Sequence, residues 1–185
     1  MEASDLTEAS LLDILLDPKR RRGLRSALRK EQGSHLPLHN RFGDLALTVT
    51  DAPRLGEAVR ALLEEPPRRD HDFLDDLLLN PHTPEDVLWE AYRQGRGIEP
   101  LGHRRGPRAL LEALAEEHRY SEAITSLALF YYAHEDDDAA FRAFVERHRG
   151  DYMLQWNLIH DRKFPERKRA LVADLLEDRP PRKRT

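Results

Sequence analysis

Prolines and glycines break this chain into short segments, and this punctuation limits what it can fold into. Between the breaks, apolar residues recur at spacings of three and four, the period of an amphipathic helix, over segments of about 10 to 14 residues. Strand-like alternation of apolar and polar residues is scarce. The sequence therefore predicts an all-α protein built from short helices.

Most of the predicted helices carry one apolar stripe and end at a proline, a glycine or a polar pair. Leu45–Val49 is ambiguous because Thr and Val favour strands, but we predict a helix since its neighbours are helical. Residues 32–43 contain two glycines, a proline and an asparagine, which indicate a loop and a candidate hinge. The other predicted helices include residues 11–16, 19–30, 53–65, 108–118, 121–133, 138–148, 152–160 and 165–177.

The most specific local motif lies in residues 73–92. A helix is expected to end at Asn80, and Thr83 is expected to cap the next helix with Pro84 at its first position. The segment resembles the leucine-rich repeat variant family, whose helical repeats carry an Asn-Pro-x-Thr-Pro turn followed by an acidic residue and Val-Leu. The residues that match are Asn80, Pro81, Thr83, Pro84, Val87 and Leu88.

This resemblance implies a short, irregular α-solenoid of stacked, HEAT-like helix pairs with a binding surface and no catalytic residues. Stacking suits short helix pairs, which cannot bury their apolar stripes alone. We predict one such domain over residues 1–178, followed by a basic, disordered tail at 179–185. An irregular helical bundle is the alternative, because the helix breaks are unevenly spaced.

Composition excludes several classes of protein. The 30 basic and 34 acidic residues give a formal net charge of -4, which argues against a surface uniformly basic for nucleic acid. The absence of cysteine excludes disulfides and thiolate metal sites and fits the cytoplasm. No apolar run approaches the roughly 20 residues that span a membrane. Phosphate-loop, dinucleotide-binding and hydrolase motifs are also absent, so we predict no enzymatic activity and no cofactor.

Two groups have the residue types of metal ligands without suitable spacing. His35 and His39 are four apart, but Pro37 lies between them and prevents a shared helical face. The acidic run that follows His134 precedes a helix, so we expect its carboxylates to complement the helix dipole. No metal site is predicted.

The predicted helix at residues 19–30 carries seven cations in twelve residues. Such a face is able to hold phosphates, but we favour a solvated face whose charge is balanced by neighbouring acidic helices. The candidate anion-binding residues on this helix are Arg21, Arg22, Arg25 and Arg29.

The predicted helix at 152–160 has more apolar side chains than one stripe can bury. Some of them must therefore reach the surface. We expect Trp156 to anchor a partner there, next to the polar residues Asn157, His160 and Arg162.

The sequence thus favours a non-enzymatic helical-repeat module that binds a protein as a scaffold, an adaptor or an inhibitor. The alternative is a nucleic-acid- or phosphate-binding protein that uses the basic helix 19–30.

Overall fold

Helices dominate the computed structural model, which describes residues 6–31, 36–66, 73–103 and 106–176. No strand occurs in these ranges, so the predicted all-α class is confirmed. None of the helices in them has the length and apolar character needed to cross a bilayer.

The chain divides into two compact units, Met1–Leu101 and Gly102–Thr185. The first unit contains α1 (Glu8–Leu16), α2 (Pro18–Lys30), α3 (Pro37–Thr48), α4 (Ala52–Leu63), α5 (Phe73–Leu79) and α6 (Glu85–Arg93), and α7 (Ile98–His103) includes the boundary. The second contains α8 (Arg108–Glu117), α9 (Ser121–Leu127), a π-helical turn (Ala128–Tyr132), α10 (Asp138–Arg147), α11 (Tyr152–His160), α12 (Glu166–Leu171) and α13 (Ala173–Leu176). The single domain over residues 1–178 stays a prediction. The predicted tail at 179–185 lies outside the described residues.

Side-chain oxygens define where several of these helices begin. Asp17 accepts hydrogen bonds from the backbone N–H groups of Lys19 and Arg20, and Pro18 occupies the first position of α2. At the starts of three other helices, one carboxylate accepts one backbone N–H near the end of the first turn, which satisfies a donor that has no partner within the helix. These residues are Asp51 for α4, Asp137 for α10 and Asp151 for α11.

The loop and candidate hinge predicted at 32–43 are wrong from Pro37 onward, because Pro37 begins α3, while residues 32–35 lie outside the described residues. Leu36 holds the N-cap position of α3, but its apolar side chain cannot accept a hydrogen bond. Glu31 accepts the N–H groups of the first turn in its place. The carboxylate of Glu31 accepts the N–H groups of Leu38 at 2.8 Å and His39 at 3.1 Å, and it lies 2.8 Å from Nδ1 of His39. The cap comes from the end of α2, so local composition at 36–43 did not reveal it. The helix predicted over Leu45–Val49 is confirmed as far as Thr48.

The turn between α5 and α6 is held by buried polar side chains. Asn80 is fully buried, and its Nδ2 donates to the carbonyls of Ala46 at 2.6 Å and Val49 at 3.0 Å, at the end of α3. Its Oδ1 accepts the N–H of His82 at 2.7 Å. Asn80 therefore joins the α5–α6 turn to α3.

Thr83 does not cap α6 as predicted. Pro84 holds the cap position, and the Thr83 hydroxyl instead donates to the carbonyl of Leu77 at 2.6 Å. The reason is that Thr83 is buried and its side chain faces back onto the end of α5. The Asn-Pro-x-Thr-Pro residues thus close the turn on α5 and α3 rather than starting α6.

The core of the first unit forms where α1 packs against α2, α3 and α4, and where α5 packs against α3 and α4. Phe42 of α3 and Phe73 of α5 meet inside it, with ring centroids 4.8 Å apart. Gly97 is required before α7: its φ is 64°, and a Cβ there would lie 2.1 Å from the Leu78 side chain.

In the second unit α9 is central and packs against α8 and α11. The helix predicted over 121–133 changes to π-helical geometry after Leu127. The predicted helix 165–177 is two short helices, with a turn at Val172. Together α11, α12 and α13 form the region that contains the candidate site.

Candidate protein-docking site

One side of α11 is fixed in the second unit. Asp151 caps the helix by accepting the N–H of Leu154 at 2.8 Å, and its other oxygen accepts the hydroxyl of Ser121 on α9 at 2.5 Å. Leu154 and Leu158 are fully buried. Gln155 is also buried, and its amide donates to the carbonyl of Arg149. These contacts fix which side of α11 faces solvent.

The opposite side of α11 is apolar and exposed. Tyr152, Met153, Trp156 and Ile159 have 59%, 37%, 47% and 49% of their surface accessible. Leu47 is the other large hydrophobic residue of the described ranges that is exposed. The prediction that surplus apolar side chains of this helix reach the surface is therefore confirmed. Single exposed apolar residues are common on proteins, whereas a contiguous group indicates an interaction surface. We call these four residues the α11 outer face.

A groove borders this face. It has a volume of about 570 Å³ and lies between the carboxyl half of α11 and the pair α12–α13. Ile159 belongs both to the outer face and to the groove wall, so the two are continuous. The groove is lined by Leu158, Ile159, Glu166, Arg169, Ala170, Ala173 and Leu176.

The predicted site residues lie together but contribute differently. Trp156 contacts His160, with ring centroids 4.9 Å apart. Asn157 is half-buried, and its side-chain amide donates to the carbonyl of Met153 at 2.8 Å. This donor is therefore used within α11 and is not directed at a partner. Arg162 is exposed in the turn after α11.

The sequence-based site omitted several residues. Tyr152, Met153 and Ile159 share the outer face with Trp156, and their spacing of three and four from it was the available signal. Ala170 and Ala173 had no such signal, because only the packing of α12 and α13 brings them opposite α11.

Cations concentrate beyond the carboxyl end of α11. Arg162 and Lys163 are exposed and have no ion pair with any described residue. Nearby Asp161 accepts the N–H of Lys163 at 2.9 Å. In the groove, Glu166 is exposed, and the Nε of Arg169 is buried without a hydrogen-bond partner among the described residues.

The basic helix α2 does not present all four of its candidate residues to solvent. Arg21 and Arg25 are buried, and both pair with Glu65, at 3.0 and 2.9 Å. Arg21 also donates to the carbonyl of Leu15, and the guanidinium of Arg25 lies 4.8 Å from the centre of the Phe73 ring. Both are therefore removed from the anion-binding set.

Helical spacing explains this correction. Arg21 lies three residues before Leu24 and four before Arg25, and Leu28 lies three residues after Arg25, so all four share the buried face of α2. Arg22 and Arg29, the other two candidates, are exposed.

The carboxylates after His134 act in capping and pairing. Asp137 caps α10 as expected, accepting the N–H of Ala140 at 2.9 Å. Asp138 pairs with Arg167 at 2.5 Å and Lys168 at 3.0 Å, and these cations hold its pKa below the usual value. No group of three potential ligands that could hold a metal ion occurs in the described ranges. His39 contacts Glu31, while His35 lies outside those ranges.

Comparison with known proteins does not assign this chain to a family. No family model, no curated protein and no solved structure matches the chain.

Proposed function

We propose that this chain is a non-enzymatic helical module that binds another protein through the α11 outer face and the adjoining groove. One observation carries the proposal: four of the five large hydrophobic side chains exposed in the described ranges lie on this single nine-residue helix. Protein interfaces concentrate aromatic, methionine and arginine side chains. Trp156 is its anchor, and His160 and Arg162 lie at its edge.

We further propose that the helices stack as a short, irregular α-solenoid of the HEAT-like or leucine-rich repeat variant type. Support comes from residues 73–92, where two helices and the buried Asn80 turn make up one helix-turn-helix unit. The irregular helical bundle is the alternative arrangement. The lack of cysteine supports a reducing compartment such as the cytoplasm.

Nucleic-acid or phosphate binding through the basic helix is the less favoured function. With Arg21 and Arg25 paired to Glu65, the exposed candidates on α2 are Arg22 and Arg29. Phosphate binding depends on the number of cations that a face presents, so this loss weakens the alternative.

The test compares Trp156→Ala with Leu47→Ala. These two side chains have nearly equal exposure, 47% and 45%, but lie in different units. Each full-length variant is immobilised and incubated with extract of the source cells, and the retained proteins are quantified by mass spectrometry. We expect a protein that wild type and Leu47→Ala retain and that Trp156→Ala loses, because truncating a central aromatic anchor removes much of an interface's affinity.

Thermal unfolding of the same variants separates binding from stability. About half of Trp156 is covered, or roughly 100 Å² of a side chain this size, so its truncation should cost at most about 2.5 kcal/mol. A buried tryptophan would cost about 3 to 5 kcal/mol. If Trp156→Ala retains the same proteins as wild type, α11 is not the docking site.

A further inference from the structure

The partner's chemistry follows from the charges around the α11 outer face, and this step rests on the function proposed above. We infer that the face receives an acidic amphipathic helix. Its apolar stripe would pack on the outer face, with one bulky side chain in the groove, and its carboxylates would pair with Arg162 and Lys163. Three properties of the site lead to this assignment.

The first property is shape. The residues of the outer face recur at helical spacing along about 10 Å of α11, the length that two turns of a partner helix cover. A helix presents matching apolar side chains at positions i, i+3, i+4 and i+7, as in other helix-in-groove complexes.

The second property is the space beside the face. Ala170 and Ala173 are exposed, and their small side chains leave the groove open between Ile159 and Leu176. The walls are mostly aliphatic, so the groove fits one leucine-sized or aromatic side chain of the partner rather than a charged group.

The third property is charge. Among the described residues, neither Arg162 nor Lys163 has an ion pair, and the buried Nε of Arg169 has no acceptor. Carboxylates on the partner would supply acceptors for the exposed Arg162 and Lys163, whereas the buried Nε of Arg169 is out of reach of a docked helix. Glu166 in the groove and Asp161 beside Arg162 are the opposing charges, so the three cations exceed the acids by one; the N–H of Lys163 bonds Asp161 without neutralising it.

These charges disfavour two other occupants. In a symmetric pair of α11 faces, a parallel arrangement would bring Arg162 and Lys163 towards their own copies, and an antiparallel arrangement would bring them towards both Arg149 and Asp151, whose charges cancel. The chain's own carboxyl-terminal segment, residues 179–185, has four cations and no acid, so it lacks complementary charge as well.

The experiment uses two synthetic helical peptides of about 20 residues with the same leucine stripe at i, i+3, i+4 and i+7. Glutamates fill the other positions of one peptide and lysines those of the other. Binding to the full-length protein is measured by fluorescence anisotropy of the labelled peptides at low and at physiological salt. The variants are Trp156→Ala, the double variant Arg162→Glu/Lys163→Glu, and Leu47→Ala as the matched control.

We expect wild type to bind the glutamate peptide at least about tenfold more tightly than the lysine peptide at low salt, since complementary charge selects between partners. The double charge reversal should invert that preference, Trp156→Ala should weaken both peptides, and Leu47→Ala should change neither. A variant that loses peptide binding but still shows the thermal unfolding transition is folded, so its loss of binding is not a loss of structure.

Equal binding of both peptides, a preference for the lysine peptide, or no binding of either would overturn the acidic-helix assignment. So would Trp156-dependent binding to phosphatidylserine vesicles without any peptide preference, which would make the face a membrane contact. The proposed function is judged separately. Trp156-dependent retention of a cellular protein would sustain it even if the peptides fail, and its absence would remove both proposals.

Discussion

Replacing Asn80 by alanine tests whether a single buried amide holds α3 to the α5–α6 turn. The change removes three hydrogen bonds, to the carbonyls of Ala46 and Val49 and from the N–H of His82. At about 1 kcal/mol for each bond, the expected loss is about 3 kcal/mol of unfolding free energy. His82 is exposed, so water can replace that bond, while each of the two carbonyls left without its buried donor costs about 1 to 3 kcal/mol, which sets an upper limit of about 6 kcal/mol.

Asn157→Ala is the matched control. That amide makes one hydrogen bond to a carbonyl of its own helix, and alanine favours the helix, so we expect a change within about 0.5 kcal/mol. Unfolding in urea is followed by far-ultraviolet circular dichroism, which reports loss of helix in both units and therefore measures both variants. A lower midpoint with unchanged slope is expected for Asn80→Ala. Equal midpoints for the two asparagine variants would refute the role of the turn.

The Arg25–Glu65 pair and the ion pairs of Asp138 give two further predictions. Arg25→Gln should cost about 2 kcal/mol because Glu65 loses one of its two arginine partners and keeps Arg21, whereas Arg22→Gln on the exposed side of α2 should stay within about 0.5 kcal/mol in the same urea experiment. Hydrogen bonds from Arg167 and Lys168 lower the pKa of Asp138, so its contribution to stability is complete above the ordinary aspartate range near pH 4 and is lost as the pH falls through the lower pKa of the folded state. The melting temperature of Asp138→Asn should therefore lie below that of wild type at neutral pH and converge with it in acid, and a pH-independent difference would contradict this.

The helix pattern was predictable because it depends on neighbours in sequence. The helix at Leu45–Thr48 and the exposed surplus on α11 both follow from spacing and crowding along one helix. The burial of Arg21 and Arg25 was also present in the spacing, since both share a face with Leu24 and Leu28. The number of cations on α2 does not indicate which of them are buried, whereas their positions around the helix do.

Contacts between distant segments were not predictable in this way. Glu31 starts α3 from the end of α2, so residues 36–43 looked like a loop when considered alone. Thr83 has the residue type of a cap, yet burial turns its hydroxyl to Leu77. The groove depends on how α11, α12 and α13 pack, which no single segment encodes.

The π-helical turn after α9 determines where this part of the chain can differ in length by one residue. The N–H of Ala133 donates to the carbonyl of Ala128, five residues back, so this turn holds one residue more than an α-helical turn. In this register the hydroxyl of Tyr131 donates to the carbonyl of Gly106, and Tyr132 stacks on Phe144. Deleting one residue from this turn would leave the residue count of an α-helical turn, so the side chains after it would keep their direction relative to α9. The same deletion inside Ser121–Leu127 would rotate them by about 100° and separate Tyr132 from Phe144. We therefore expect an evolutionary relative that is one residue shorter in this region to lack the π-helical turn and to keep a regular α-helix here.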